Sequence, residues 1–388
     1  MNRKASTAIL FFVLFTVTFS VNLQAPLYGE YAAKSGLGAT AVTIGFAAYV
    51  VGLMPTLIFL GGISDVVGRI KPLLVALTLC LLATLLLVIT PGWSSLLIAR
   101  FFLGVGTALA TTSGSAYMGE LALEGSKSKA ALLVTSSTSL GFGAGALATG
   151  ISLEIEGMTF LPKSFVIFFV MAVFLLATTP WLFKSYKKKK AKLLRLPLFP
   201  KDTWLYGASM LIAWATTGMT IAIIPLNLKN IGLSQYTGLV IFLAIFVGFL
   251  CQPLARRVQS TKALKLGLLF TPLGYLAMLL GISKNSLPLI LMGTSLTSAS
   301  SYGFTYLSSL FKFTSMGSSE TSRATAGLFV YAYIGFSLPV IGGGVIADAY
   351  GLFTSSLIFL IAQIVAIAFL LAAPQLRVIK KSISPGVS

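Results

Sequence analysis

The sequence contains no histidine, only two cysteines and only nine Asp and Glu residues in 388. Histidine is the commonest metal ligand and proton shuttle in proteins, so its absence removes the usual parts of many active sites. Cys80 and Cys251 lie in or beside apolar runs and do not indicate a disulfide framework. We therefore expect no metal and no cofactor, and an integral-membrane enzyme remains only a remote alternative.

Charge of either sign is also scarce. Only 10% of the residues are charged, 56% are hydrophobic, and the mean hydropathy is +0.94. A soluble domain carries about 25% charged residues. Such a chain has too little polar surface to remain folded in water. The composition predicts an all-α integral membrane protein.

Long apolar runs occupy most of the chain, and a membrane helix needs about 20 such residues. The pattern predicts twelve runs. They lie at 6–28, 41–62, 72–90, 94–118, 128–152, 164–183, 204–226, 235–254, 263–281, 287–310, 324–346 and 352–373.

The net charge of +19 could indicate a nucleic-acid partner. However, the basic residues lie in the short segments between apolar runs, as the positive-inside rule requires of a membrane protein. With both termini in the cytoplasm, all Lys and Arg residues fall on the inner side except Lys34, Lys163, Lys229, Lys284 and Arg100. We therefore expect cytoplasmic termini, a bacterial inner-membrane location and no nucleic-acid partner.

A basic stretch at 185–201 divides the twelve runs into six and six. Pro26 in the first run and Pro225 in the seventh are each followed by Leu and, a few residues later, by a Gly-Leu pair, so the two halves resemble each other in sequence. We predict a bundle at 1–184, a linker at 185–203 and a second bundle at 204–388. Two related halves place a binding site near the middle of the membrane between them.

The segment between the second and third runs combines an acid, two bases and three glycines. Asp65 and Arg69 are four residues apart and can pair on one helical face. The pattern Gly61-x-x-x-Asp65-x-x-Gly68-Arg69-x-Lys71 resembles the loop signature of the major facilitator superfamily. The family's basic residue after the acid is Val66 here. The resemblance implies a monomeric transporter with two pseudo-symmetric six-helix bundles around a central cavity.

Arg100 is a lone charge inside an apolar run. Burying an arginine in a membrane span costs at least about 2.5–3.5 kcal/mol, so it needs a partner in protein or water. Arg100-x-x-x-Gly104-x-Gly106 is similar to the family's fourth-helix motif, although Leu103 replaces the usual Gln. The resemblance implies a role for Arg100 in proton coupling. The alternative is an arginine that caps backbone carbonyls or extends to the membrane surface.

Glu120 follows Arg100 by about 30 Å of helix, at 1.5 Å per residue, which brings it to the end of the membrane where Asp65 and Arg69 lie. The resemblance implies a charge relay through these three residues. With Gly61 and Gly68 they form a predicted latch that holds the outward-open state. The alternative is an ordinary surface ion pair.

Asn22, Gln24 and Glu30 give the first run a polar stripe. Glu30 either takes up a proton from outside or is a solvated loop residue. Asn22 and Gln24 are candidates for the substrate cavity. In the second half, Ser298, Tyr302 and Tyr306 share a helical face, and Tyr331 is a further candidate.

Together these features predict proton-coupled efflux of a small organic molecule by antiport. The fifth run resembles the family's antiporter motif only in part, because Ala146 and Thr149 replace its Pro and one Gly. Uptake or facilitated diffusion of a neutral or anionic metabolite is the alternative. The expected partners are a small-molecule substrate, protons or another ion, and membrane lipid.

Overall fold

A computed structural model of the chain describes residues 2–122, 127–182, 196–315 and 320–372. These residues form helices joined by short connections, and the described ranges contain no β-strand. We number the long helices in chain order: α1 (Arg3–Leu23), α2 (Ala39–Leu60), α3 (Ile70–Ile89), α4 (Trp93–Leu121), α5 (Lys127–Glu156), α6 (Lys163–Thr178), α7 (Trp204–Ala222), α8 (Thr237–Arg257), α9 (Ser260–Ser283), α10 (Leu287–Ser298, Ala299–Thr305 and Tyr306–Thr314), α11 (Thr321–Tyr350) and α12 (Leu352–Ala372).

Eleven helices in the described ranges are long and apolar enough to cross a membrane. The tenth predicted run is the exception, because α10 consists of two α-helical segments joined by a π-helical segment, Ala299–Thr305. It is helical but has no regular stretch of spanning length. The count of twelve crossings therefore stays a prediction.

The predicted linker is described only in part, since residues 185–195 lie outside the described ranges. Its last residues contact the start of α11. The amide of Leu198 donates to the carbonyl of Arg323 at 3.0 Å, and Arg323 Nε donates to the carbonyl of Leu196 at 3.1 Å. The predicted division into 1–184, 185–203 and 204–388 stays a prediction.

The first helix of each half bends at a proline. After α1 ends at Leu23, the chain passes through a short 3₁₀ turn that contains Pro26 and continues as a helix over Tyr28–Lys34. After α7 ends at Ala222, the chain continues as a helix over Ile224–Asn230, whose second residue is Pro225. Proline cannot donate a backbone hydrogen bond, so a regular helix is interrupted there. The two bends lie at positions that the sequence already relates.

Packing within the chain follows two sets of helices. In the first set, α1 packs along α4 and α5, and α4 also packs along α2 and α3. In the second, α7 packs along α11, and α10 packs along α8 and α9. The two sets meet where α2 packs on α11 and α5 packs on α8.

The α5–α8 contact depends on a glycine that lets the two backbones approach closely. A Cβ at Gly238 of α8 would lie 2.5 Å from the carbonyl oxygen of Ala146 in α5. Small residues serve this purpose in membrane helices because lipid supplies no hydrophobic force between them. The contact joins the two sets of helices.

Large apolar side chains cover the outer surface. On α6, Val170 and Phe174 are 65% and 61% exposed, and on α12 Phe369 is 70% exposed. Isolated exposed apolar residues are normal in soluble proteins, but contiguous apolar faces on this scale are not. These faces fit a surface that contacts lipid tails.

Candidate functional site

Arg100 lies inside the first half with only 1% of its side chain exposed. Its Nη1 donates to the carbonyl of Val21 at 2.7 Å, and its Nη2 donates to the carbonyl of Phe46 at 3.1 Å. Val21 is in the last turn of α1, where carbonyls lack intrahelical partners. The arginine therefore caps α1 and ties α1, α2 and α4 together. It does not extend to the membrane surface.

Three aromatic rings complete the surroundings of this arginine. Its guanidinium carbon lies 4.7 Å from the ring centre of Tyr49 and 5.6 Å from those of Tyr28 and Phe46. Cations bind the faces of such rings, most strongly where water is excluded. Carbonyls and rings, rather than a carboxylate, are the contacts of Arg100 found in the described part of the chain.

Arg100 Nε is buried and has no hydrogen-bond partner among the described residues. The Tyr28 hydroxyl and the Gln24 side chain lie beside it and are close enough to each other for a hydrogen bond. Gln24 Nε2 donates to the carbonyl of Val21, which Arg100 also contacts. An unpaired buried polar atom costs about 1–3 kcal/mol, so such atoms favour a polar ligand. Gln24 thus lies next to the buried cation, and its role in a substrate cavity stays a prediction.

Asn22 is buried as well, but its amide is already used. Its Nδ2 donates to the carbonyl of Phe142 at 2.9 Å and joins α1 to α5. Within the first half, this contact is part of helix packing. A role for Asn22 in the substrate cavity stays a prediction.

The second half contributes a cluster of aromatic rings centred on Trp214 of α7. The ring centres of its neighbours lie 5.3 to 6.2 Å from that of Trp214. The indole Nε1 is buried and has no partner among the described residues. We call this set the Trp214 cluster; its members are Trp214, Tyr302, Phe329, Tyr333 and Phe336.

Of the candidate residues on α10, Tyr302 belongs to the Trp214 cluster and Tyr306 lies beside it. The rings of Tyr306 and Phe329 are 6.4 Å apart. Tyr302 is in the π-helical segment of α10, a distortion that frequently occurs at functional sites. The structure therefore brings these two tyrosines together at the inner face of the second half.

Ser298 is placed differently. Its hydroxyl accepts a hydrogen bond from the amide of Gly248 at 2.8 Å and fixes α10 against α8. Nearby hydroxyls are engaged in the same way, since Ser301 accepts from Thr217 of α7 and Ser300 donates to the carbonyl of Gly267 of α9. The hydroxyl-rich sequence of α10 mainly joins neighbouring helices.

Tyr331 lies on a different face of α11 from the Trp214 cluster. Its ring lies 5.8 Å from that of Phe199 and 6.3 Å from that of Phe313. Tyr333, two residues later, is the tyrosine of α11 that joins the Trp214 cluster. A shift of two residues turns a side chain by about 200° around a helix, which explains the difference. Sequence reasoning missed Phe329, Tyr333 and Phe336, although their spacing of four and three marks one helical face.

The two halves touch directly through aromatic rings. Phe46, which lies beside Arg100, has its ring centre 4.6 Å from that of Phe336, a member of the Trp214 cluster. Tyr49 also lies near Tyr302 and Tyr333 of the second half. A continuous path therefore runs from Arg100 through Phe46 and Phe336 to Trp214 across the interface.

The predicted latch residues form one compact cluster in the first half. Arg69 Nη1 lies 2.7 Å from Asp65 Oδ1, and Arg69 Nη2 lies 2.6 Å from Glu120 Oε1. Arg69 Nη1 also donates to the hydroxyl of Ser64 at 2.7 Å. Burial by itself lowers the pKa of Arg69, but the hydrogen bonds and charges of Glu120 and Asp65 outweigh it and raise the pKa. Their role as a latch stays a prediction.

The two glycines of this loop differ in what they contribute. Gly68 has a φ of 95°, a conformation that other residues rarely adopt, and it separates the short helix Ile63–Val67 from α3. Gly61 ends α2 with a φ of −58°, which any residue can adopt. Gly68 is therefore the glycine whose conformational freedom the loop requires.

The halves are held together at the end of the molecule that carries the connections 35–38 and 231–233, which we call the closed end. There Glu30 forms an ion pair with Lys229 of the other half. Asp348 at the end of α11 accepts hydrogen bonds from the amides of Ala39 at 2.7 Å and Thr40 at 2.9 Å. A carboxylate at a helix N-terminus is favourable, so Asp348 caps α2 from the opposite half.

Glu30 is thus neither beside Arg100 nor simply solvated. A cavity of about 50 Å³ at the closed end is lined by Glu30, Lys229 and Tyr28, among others. The ring of Tyr28 separates this cavity from Arg100. Asp348 and Lys229 were not found by sequence reasoning, because their partners are far away in the sequence.

The sequence model of the Major Facilitator Superfamily matches residues 10–337. The chain belongs to this superfamily. It is therefore a membrane transporter rather than an enzyme. A search of curated proteins found no match.

Solved structures of other transporters have the same fold as this superfamily member. A bacterial homolog of the human lysosomal transporter Spinster, in an inward-facing and unoccupied conformation, matches with a TM-score of 0.75. The identity is 13%, and 99% of each chain is covered. The nucleoside transporter NupG matches with a TM-score of 0.75 and 13% identity, over 96% of this chain and 99% of that one. At such low identity the likeness shows the fold alone.

Proposed function

We propose that this protein moves a small organic molecule across the membrane by alternating access, as a proton-coupled exporter. The aromatic path from Arg100 through Phe46 and Phe336 to Trp214 carries the transport part of this proposal. A solute bound along this path contacts both halves. Its binding energy can then act on their relative position, as alternating access requires.

The chemistry of the path indicates the class of solute. Aromatic faces favour a planar, largely apolar molecule. Arg100 Nε and Trp214 Nε1 are buried donors without partners among the described residues, and they suit a solute with acceptor groups. A cation beside the path favours a neutral or anionic solute over a multiply cationic one.

Proton coupling is supported by the arrangement at the closed end. The ion pair between Glu30 and Lys229 bridges the halves, and Tyr28 lies between its cavity and Arg100. Protonation of Glu30 would remove one of the bonds that keep this end closed. In the predicted topology the closed end faces outward, so external protons would favour its opening.

Uptake or facilitated diffusion of a neutral or anionic metabolite is the second candidate. One observation favours it: among the described residues, Arg100 is bound by carbonyls and rings and not by a titratable acid. In that case Arg100 would attract an anionic group of the solute and would have no part in proton coupling.

The first experiment identifies a solute. A variant that keeps Trp214 as its only tryptophan, with Trp93, Trp181 and Trp204 changed to Phe, reports on the path directly. It is screened with planar neutral and anionic molecules such as nucleosides, aromatic carboxylates and dyes. We expect quenching of its fluorescence together with a rise in apparent melting temperature. A solute that raises the apparent melting temperature of this variant without quenching its fluorescence binds elsewhere.

The second experiment measures coupling in proteoliposomes with the protein oriented inside out. A proton-coupled exporter should accumulate the bound solute in the lumen when the lumen is acidic. Glu30→Gln should abolish this accumulation and leave solute binding intact. Transport at a rate that does not depend on the pH gradient supports facilitated diffusion. Accumulation in the lumen when the lumen is alkaline supports proton-coupled uptake. If no bound solute is transported under any gradient, the transport proposal is wrong for that solute class.

A further inference from the structure

A second cavity lies away from the interface between the halves, where α8 ends, α9 begins and α10 ends. Its volume is about 460 Å³. Val258, Leu307, Leu310 and Phe311 supply much of its apolar wall, and the Phe311 side chain is 66% exposed. Arg256 lines the same cavity. It therefore combines an apolar wall with a positive charge at its edge.

The basic residues around this cavity are not compensated by acids. Arg256 and Arg257 end α8, Lys262 and Lys265 follow in the first turns of α9, and Lys312 lies near the end of α10. None of them forms an ion pair within the described ranges, where the ion pairs are those of Arg69, Lys229 and Arg323. The region has an excess of positive charge at the end of the membrane-spanning helices.

The N-terminus of α9 adds to this field. No side chain accepts a hydrogen bond from its first amides. The amide of Ala263 donates to the carbonyl of Gln259 at 2.9 Å, so the amides before it are the ones available to an anion. The first amides of a helix carry a partial positive charge and bind anions. Ser260 and Ala263, in the first turn of α9, line the cavity. The helix terminus and Arg256 therefore face the same space.

We propose that this cavity binds an anionic phospholipid of the leaflet in which the basic loops lie. The phosphate would lie between Arg256 and the N-terminus of α9, and an acyl chain would cover Leu310 and Phe311. Basic pockets between membrane helices on the cytoplasmic side bind acidic headgroups in the same way. The apolar wall and the exposed Phe311 are the reason to choose a lipid over a soluble anion. The site is separate from the aromatic path and does not depend on the proposed transport activity.

The test compares lipid retention by full-length protein. Delipidated protein is mixed with phosphatidylglycerol or phosphatidylcholine of matched chains, and bound lipid is counted by native mass spectrometry. We expect phosphatidylglycerol to be retained roughly tenfold better, the amount that one charge-assisted hydrogen bond supplies. Arg256→Gln should remove this preference, and Arg256→Lys should keep part of it.

Two further variants separate the site from general surface charge. Lys129→Gln removes an exposed base on the same predicted side but away from the cavity, and it should keep the preference. Thr314→Phe narrows the cavity and leaves Arg256 in place, and it should lower retention. Apparent melting temperatures in phosphatidylcholine confirm that each variant is folded.

The proposal is overturned if the two lipids are retained equally, or if Arg256→Gln and Lys129→Gln have the same effect. It is also overturned if Thr314→Phe leaves retention of phosphatidylglycerol unchanged. Displacement of the lipid by millimolar inorganic phosphate would show that the cavity binds a soluble anion instead.

Discussion

The two halves of the molecule contribute different chemistry to the region where they meet. The first half presents a buried cation, Arg100, held by backbone carbonyls and surrounded by rings. The second half presents the Trp214 cluster, whose ring partners come from α7, α10 and α11. In the proposed transport, the first half would orient a polar group of the solute and the second would supply apolar contact area.

The same contrast appears in the loops at the end opposite the closed end. Between α2 and α3, Arg69 is bound by two acids and only 7% exposed. In the last turn of α8, Arg256 and Arg257 have no ion pair within the described ranges. Charge is neutralised internally in the first half and is available to an external anion in the second.

The largest expected effect comes from Arg100→Ala. The change removes a cap of α1 and its contacts with α2, so we expect a loss of about 2 kcal/mol or more in stability together with loss of transport. Apparent melting temperature and transport in proteoliposomes measure the two effects. Arg100→Lys keeps the charge but not the forked geometry and should fall between. Normal transport by Arg100→Ala would show that the cation has no functional role.

Next in size is the effect of Glu120→Gln. Arg69 would remain buried with one acid fewer, so we expect stability to fall by about 1–2 kcal/mol and transport to slow while solute binding is retained. Glu320→Gln is the matched control, because its pair with Arg323 is exposed and its closest contact is 3.5 Å. That control should change stability by less than about 0.5 kcal/mol. Equal effects of the two variants would make the Arg69 cluster an ordinary surface pair.

Trp214→Ala tests whether the Trp214 cluster contacts the solute. We expect the affinity for a solute found in the screen to fall roughly tenfold, since the change removes large contact area and several ring pairs. Trp214→Phe should retain most of the affinity. Trp204→Phe is the control, because Trp204 is 41% exposed at the start of α7. If Trp214→Ala leaves affinity unchanged, the solute does not contact the second half there.

The smallest expected effect is that of Asp348→Asn at the closed end. The change weakens the cap on α2 by about 0.3–1 kcal/mol and should raise the fraction of molecules in which this end is open. Val42→Cys, in a background without Cys80 and Cys251, measures opening by its rate of maleimide labelling. Asp202→Asn, before α7, is the control and should leave the labelling rate unchanged. Slower labelling after Asp348→Asn would contradict the assignment of the closed end.

Sequence reasoning worked best where a single helix or a short spacing fixes the geometry. The pairing of Asp65 with Arg69 follows from a separation of four residues, and the position of Glu120 beside them follows from the rise of α4. The sequence also related Pro26 to Pro225, and the structure interrupts the first helix of each half at these prolines. Each of these features depends on local rules that need no knowledge of the packing.

Sequence reasoning was weakest where helices far apart in the chain meet. Trp214 has partners on two other helices, and Asp348 caps a helix more than 300 residues earlier in the sequence. The face of α11 that points inward depends on its rotation, so Tyr331 was chosen and Tyr333 was missed. A hydroxyl such as that of Ser298 can serve a ligand or a neighbouring helix, and only packing decides between them.

Alternating motion of the two halves is the central claim, and distances between spin labels measure it most directly. In a background without Cys80 and Cys251, one pair is placed at Ser35 and Asn230 across the closed end, and a second at Val66 and Ser315 across the opposite end. Distances are measured by double electron–electron resonance with and without a bound solute, at acidic and neutral pH. The account predicts that the first distance lengthens whenever the second shortens. Two distances that stay fixed, or that lengthen together, would contradict it.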